Sequence, residues 1–105
     1  MRTYYHATDY GNLISILDNG LKASKLDGLV YLAETEEDAL RFVVLRGYKK
    51  VVTFKVKIYK RDEDKIIETF DHSQRFFKCK SFGYMGDISP NNIIPSKTYE
   101  FNGGY

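Results

Sequence analysis

The chain has 105 residues, of which 16 are basic and 14 acidic, for a formal net charge of +2. That length encloses one hydrophobic core rather than two, and so even a charge balance carries no nucleic-acid or membrane signature of its own. The one cysteine, Cys79, has no internal partner, no apolar run reaches the length of a bilayer, and the start lacks the blocks of a secretion signal; a single soluble, cytoplasmic domain over 1-105 is expected, with no membrane partner.

Thr3 to His6 reads as a short first strand, with Thr8 or Asp9 placed to cap the helix that follows. In that helix Leu13, Ile16 and Leu17 fall at i, i+3 and i+4, and Gly20 stands where a helix ends at positive φ. Leu29 to Ala33 is a second strand. The acids from Glu34 to Asp38 then suit the positive end of a second helix, capped by Thr35 and continued by Ala39, Phe42 and Val43 toward Gly47. From Val51 to Tyr59 apolar and polar residues alternate, which predicts a strand with Val52, Phe54, Val56 and Ile58 inward and Thr53, Lys55 and Lys57 on a wet face. Lys60 to Lys65 is a charged turn, Ile66 to Phe70 a short strand, and Asp71 to Arg75 a polar loop. Phe76 to Met85 returns to the sheet, Pro90 and Pro95 argue against helix, and a last strand is expected near Tyr99 to Phe101. These elements add up to an α+β domain with two early helices and most of its strands later.

Fifteen per cent of the residues are aromatic, nine of them tyrosine and none tryptophan, a choice that suits rings with a polar end near a surface or pocket. A histidine and a tyrosine on neighbouring strands, here His6 and Tyr31, can hold a flat aromatic ring by hydrogen bonding and stacking. Each alone also reads as an ordinary core histidine and strand tyrosine.

Three stretches carry a resemblance. Tyr4-Tyr5-His6-Ala7-Thr8 with the helix ending Ile16-Leu17-Asp18-Asn19-Gly20-Leu21, then Gly28-Leu29-Val30-Tyr31-Leu32-Ala33 with the acidic helix start, then Tyr84-Met85-Gly86-Asp87-Ile88-Ser89-Pro90 are together similar to the ADP-ribosyltransferase superfamily. The third stretch resembles the closing turn of DarT-like DNA-modifying toxins. The resemblance implies an ADP-ribosyltransferase-like split β-sandwich with NAD, as substrate or ligand, between two sheets. It implies that His6 contacts a ribose hydroxyl, that the backbone of Ala7, beside Thr8, takes the nicotinamide amide, and that Tyr31 stacks on the nicotinamide ring. The acid that the family places on the closing strand falls at Ser81, flanked by Lys80, and a serine stabilises a cationic sugar far less than a carboxylate does. Asp71, Asp87 and Glu100 are the nearby acids, and Asp71-His72-Ser73 with Phe77 reads either as a loop over a ligand or as a solvated turn.

Two functions follow as expectations. One is a minimal ADP-ribosyltransferase, with His6, Tyr31, Ser81 and Asp71 as its catalytic set and a protein or nucleic acid as acceptor. The other is a non-catalytic holder of NAD, ADP-ribose or an NAD-derived signalling nucleotide, a sponge or sensor. His6, Ala7, Thr8, Tyr31, His72, Ser73 and Phe77 are the expected nucleotide contacts in both. No metal is expected, because His6 and His72 with one cysteine have no metal-ligand spacing. A protein of this kind suits a toxin, a counter-defence protein or a regulatory domain.

Overall fold

The computed structural model describes residues 1–44, 46–69 and 81–100. Extended, largely β-branched and aromatic residues open the chain as strand β1, Arg2–Asp9, which runs past the expected end at His6. Because Thr8 and Asp9 still belong to this strand, neither caps the helix; a 3-10 turn at Tyr10–Asn12 intervenes, and Thr8 instead accepts from the Asn12 side chain at 3.0 Å. Helix α1 follows at Leu13–Asn19. Its stripe is narrower than predicted: Ile16 is buried and Leu13 half-buried, whereas Leu17 is exposed. Strand β2 is Leu29–Leu32 and helix α2 is Glu36–Val44, with the Thr35 hydroxyl accepting from the Asp38 amide as the expected cap.

Strand β3, Lys50–Ile58, pairs antiparallel with β1 along its full length, from Arg2 opposite Ile58 to Asp9 opposite Val51. Lys60–Lys65 forms a 3-10 helix, β4 is Ile66–Thr69, β5 is Ser81–Met85, and β6 is Ile93–Glu100. The last strand thus begins well before Tyr99. It tolerates Pro95 because β6 is an edge strand: Pro95 stands opposite Phe54, whose backbone groups face β1, so the proline nitrogen faces the open edge and costs no ladder bond, and a register shift follows between Val52 and Phe54. At the same place the Thr53 hydroxyl accepts from the Lys97 amide at 3.0 Å and lies 3.2 Å from the Lys97 carbonyl, repairing the ladder with a side chain.

The strands make two three-stranded antiparallel sheets, β1-β3-β6 and β2-β5-β4. Tyr4, Phe54, Val56 and Ile58 of the first share one core with Val30, Leu32 and Tyr84 of the second, with Ile16, Leu21 and Ile88 filling in, so the domain is an α+β sandwich. The outer face of the first sheet is not uniformly wet. Helix α2 lays Ala39, Phe42 and Val43 on Ala7 and Val51, and Val51 and Thr53 are both 0% exposed, leaving Lys55 exposed and Lys50 and Lys57 partly so along β3. Alternation located the inner face correctly and was blind to a helix packed on the other.

Glu36 anchors that helix. Its carboxylate accepts from the Thr53 hydroxyl at 3.0 Å, the Ser96 hydroxyl at 2.7 Å and the Tyr99 phenol at 2.7 Å, with Lys97 Nζ at 3.7 Å. Burial pulls its pKa upward, and the three donors and the lysine outweigh that, leaving it below the usual carboxylate value. The same contact pushes the Tyr99 phenol up to about 12. The signs give a window: the Glu36 contribution is complete above the ordinary carboxylate range and fades as pH falls through its lowered value, and the Tyr99 contribution fades as pH rises toward about 12. Glu36→Ala is expected to cost about 3 kcal/mol at neutral pH, since hydrogen bonds to a charged, largely enclosed partner are lost together. Urea unfolding at pH 7 and pH 3 checks this: the gap between variant and parent should shrink at pH 3, and a constant gap would contradict the charge argument.

Candidate functional site

One backbone pair ties the edge of β1 to the end of β2: the Tyr5 amide donates to the Ala33 carbonyl at 2.8 Å, and the Ala33 amide to the Tyr5 carbonyl at 2.9 Å. In an antiparallel ladder the next pair outward would be Ala7 with Tyr31. That pair is not made. The Tyr31 carbonyl accepts instead from Nδ1 of His6 at 2.8 Å, so the imidazole acts as a wedge where the strands would have zipped. The Ala7 amide and carbonyl point to the same side as those of Tyr5, away from β3, and have no backbone partner among the described residues. A cleft results at this point of divergence.

A carbonyl only accepts, so Nδ1 carries the proton and Nε2 is left as an acceptor. Burial lowers the His6 pKa, the bond to the Tyr31 carbonyl offsets part of this, and the nearby Arg46 cation lowers it further. The ring is therefore neutral at physiological pH. Ala7 is itself buried and small, which keeps the backbone within reach of a ligand.

Two hollows meet at this wedge. A narrow one of about 30 Å³ is lined by Tyr5, His6, Ala7, Tyr31, Phe42 and Arg46 among others, and a wider one of about 210 Å³ by His6, Lys22, Ser24, Leu29, Tyr31 and Arg46. The first is lined by aromatic rings and small residues, the second by aliphatic side chains with Lys22 and Arg46 as its cations. Together they suit a flat ring joined to an anionic, hydroxyl-bearing remainder.

His6, Ala7 and Tyr31 are thus brought together as the sequence led one to expect. Thr8, one residue on, is turned to the opposite side of the strand from Ala7 and takes the Asn12 amide; it lines neither hollow. Ser81 is 0% exposed and its hydroxyl accepts from the Thr69 hydroxyl at 2.9 Å, across the β4–β5 pair. It lines neither hollow. Asp87 accepts from the Ala23 amide at 2.7 Å and sits 3.7 Å from Lys22 Nζ, a turn-tying role, and Glu100 pairs with Lys50 at 3.6 Å on the exposed end of β6. Asp71, His72, Ser73, Phe77 and Cys79 lie outside the described residues. Among the described residues no three His, Cys, Asp or Glu side chains converge, and no helix is long and apolar enough to cross a membrane.

Sequence reasoning missed Arg46, which lines both hollows from the turn after α2, and Phe42, assigned there only to the core. The helical stripe did mark Phe42 as inward-facing. Nothing local marked Arg46. Comparison with known protein families finds none that matches the chain, and comparison with curated proteins finds none similar to it in sequence.

Proposed function

We propose that the chain is an ADP-ribosyltransferase-like domain that binds NAD in the cleft between β1 and β2. The observation that carries this reading is the His6 wedge, which diverts the Tyr31 carbonyl and leaves the Ala7 amide and carbonyl turned toward the cleft. A carboxamide is the group that satisfies both at once, donating through its NH₂ and accepting through its oxygen. Nicotinamide supplies a carboxamide on a flat ring for Tyr31, its ribose hydroxyl donates to Nε2 of His6, and its diphosphate meets Arg46 and Lys22 at the cationic mouth. Holding the nucleotide is the favoured reading, because Ser81 is buried against Thr69 and the groups that line the cleft are binding groups. Transfer of ADP-ribose to a protein or nucleic acid is the second reading, favoured by a pocket that addresses nicotinamide itself rather than ADP-ribose alone; in it, Asp71 is the acid to test.

Calorimetry with NAD and chromatography of the same mixture separate the readings. Heat of binding with NAD recovered intact is the expected result. Free nicotinamide would make the protein an enzyme, and the absence of both heat and release at millimolar NAD would refute the cleft assignment.

A further inference from the structure

Tyr31 lines both hollows, and the proton of its hydroxyl is committed to the carboxylate of Asp27. Asp27 is exposed and lines neither hollow, yet its position is fixed. Its Oδ1 accepts from the Leu29 amide at 3.0 Å, which leaves Oδ2 for the phenol. The turn that carries it is closed by Gly28 N to Ser24 O at 2.8 Å, by Ser24 N to Leu29 O at 3.0 Å and by Leu26 N to the Ser24 hydroxyl at 3.1 Å. It is tied to the turn after β5 as well, through Gly86 N to Gly28 O at 3.1 Å. A carboxylate bonded to a backbone amide on a turn closed this many times is a fixed post. The Tyr31 hydroxyl and the Leu29 amide in turn keep Asp27 ionised to lower pH than an ordinary aspartate.

We infer that Asp27 is a positioning residue for ligand binding: by holding the Tyr31 hydroxyl it sets the orientation of the ring that faces the ligand. The inference rests on the NAD reading above. A half-buried tyrosine on a strand rim otherwise loses side-chain freedom when a ligand arrives, and a ring fixed beforehand does not. The arrangement also presents the ligand with an aromatic face, so this side of the cleft selects for flat rings.

A double-mutant cycle on NAD affinity tests it. Tyr31→Phe and Asp27→Ala should each weaken NAD binding about threefold to tenfold, and the double variant should be no weaker than Asp27→Ala alone. Asp27→Asn, which keeps the Leu29 amide on its one carbonyl oxygen and can hold the Tyr31 hydroxyl only by donating to it from Nδ2, should recover part of the affinity. Losses that multiply in the double variant, or an Asp27→Ala protein that binds as tightly as the parent, would overturn the role. A second readout needs no ligand: with ring-¹³C-labelled tyrosine, the Tyr31 signal, assigned by its disappearance in Tyr31→Phe, should move as Asp27 titrates in acid and stay still in Asp27→Asn. A Tyr31 signal indifferent to acid overturns the contact on its own. If the parent protein binds no NAD, the reading of the cleft fails; if it binds NAD and only the cycle fails, the cleft stands and Asp27 is merely a turn residue.

Discussion

Gly20→Ala is expected to destabilise the domain by about 3 kcal/mol or more, the largest loss expected from an alanine at any glycine among the described residues. Gly20 closes α1 with φ 79° and ψ −170°, a conformation that residues with a Cβ rarely adopt. A Cβ here would stand 2.1 Å from the Ile88 carbonyl oxygen and 3.0 Å from the Pro90 nitrogen. That carbonyl is not free to retreat, because it accepts from the Leu21 amide at 3.0 Å while the Ile88 amide donates back to the Leu21 carbonyl at 2.8 Å. Leu21 and Ile88 are both core residues, so relief of the clash pulls apart a hydrogen-bonded pair and opens packing together. Gly28→Ala is the matched control: its φ of 72° imposes the same kind of backbone strain, but nothing lies within 4 Å of the added atom. Urea midpoints of the two variants should differ by about 2 kcal/mol of stability once multiplied by a common slope. Equal midpoints would show that the 86–90 turn yields and that strain, not the clash, sets the cost.

Tyr31→Ala is expected to weaken NAD binding about tenfold to a hundredfold with the fold intact, the range that loss of one stacked aromatic face produces. Tyr31 is half-buried and its strand neighbours Val30 and Leu32 carry the core, so truncation costs binding more than stability. His6→Ala acts differently. It removes the Nε2 acceptor and also releases the Tyr31 carbonyl to the Ala7 amide, which lets the cleft close by one ladder bond. Acidification supplies the same perturbation without mutation, since protonated imidazole cannot accept at Nε2. Because the His6 pKa is lowered, NAD affinity should hold steady as pH falls through the ordinary imidazole range and weaken only below it. Affinity measured by calorimetry across pH 5 to 8 decides; a step at the ordinary imidazole value would mean that His6 is solvated and outside the site.

What could be read ahead from residues alone was set by period and by local chemistry. The 3.6-residue stripe of Ala39, Phe42 and Val43, the inward set of β3, the Thr35 cap and the stop at Gly20 each rest on groups a few residues apart, and each is present. The order of His6 and Tyr31 was legible, although not that the imidazole would replace a ladder bond. Errors arose where distant pieces decide. Val51 and Thr53 belong to a face that looks wet until α2 covers it, and the edge position of β6 that accommodates Pro95 is visible only once the sheet is assembled. Glu36 looked like one of several acids at a helix start. Its three hydroxyl donors are 17, 60 and 63 residues away, beyond any local rule.

That spread bears on how the domain assembles. Every sheet contact of β3 is with a strand distant in sequence, and the β3–β6 pairing, the Lys97 contacts of Thr53 and two of the three donors to Glu36 all depend on a segment beginning at Ile93. Folding is therefore slow for a chain of this length, because closing loops that span roughly half of the sequence precedes the contacts that reward it. On the ribosome β3 leaves the tunnel with one edge bare and Thr53 without its Lys97 contacts, so the nascent domain is open to wrong strand pairing until β6 follows, bringing with it the Ser96 and Tyr99 donors that complete the shell around Glu36.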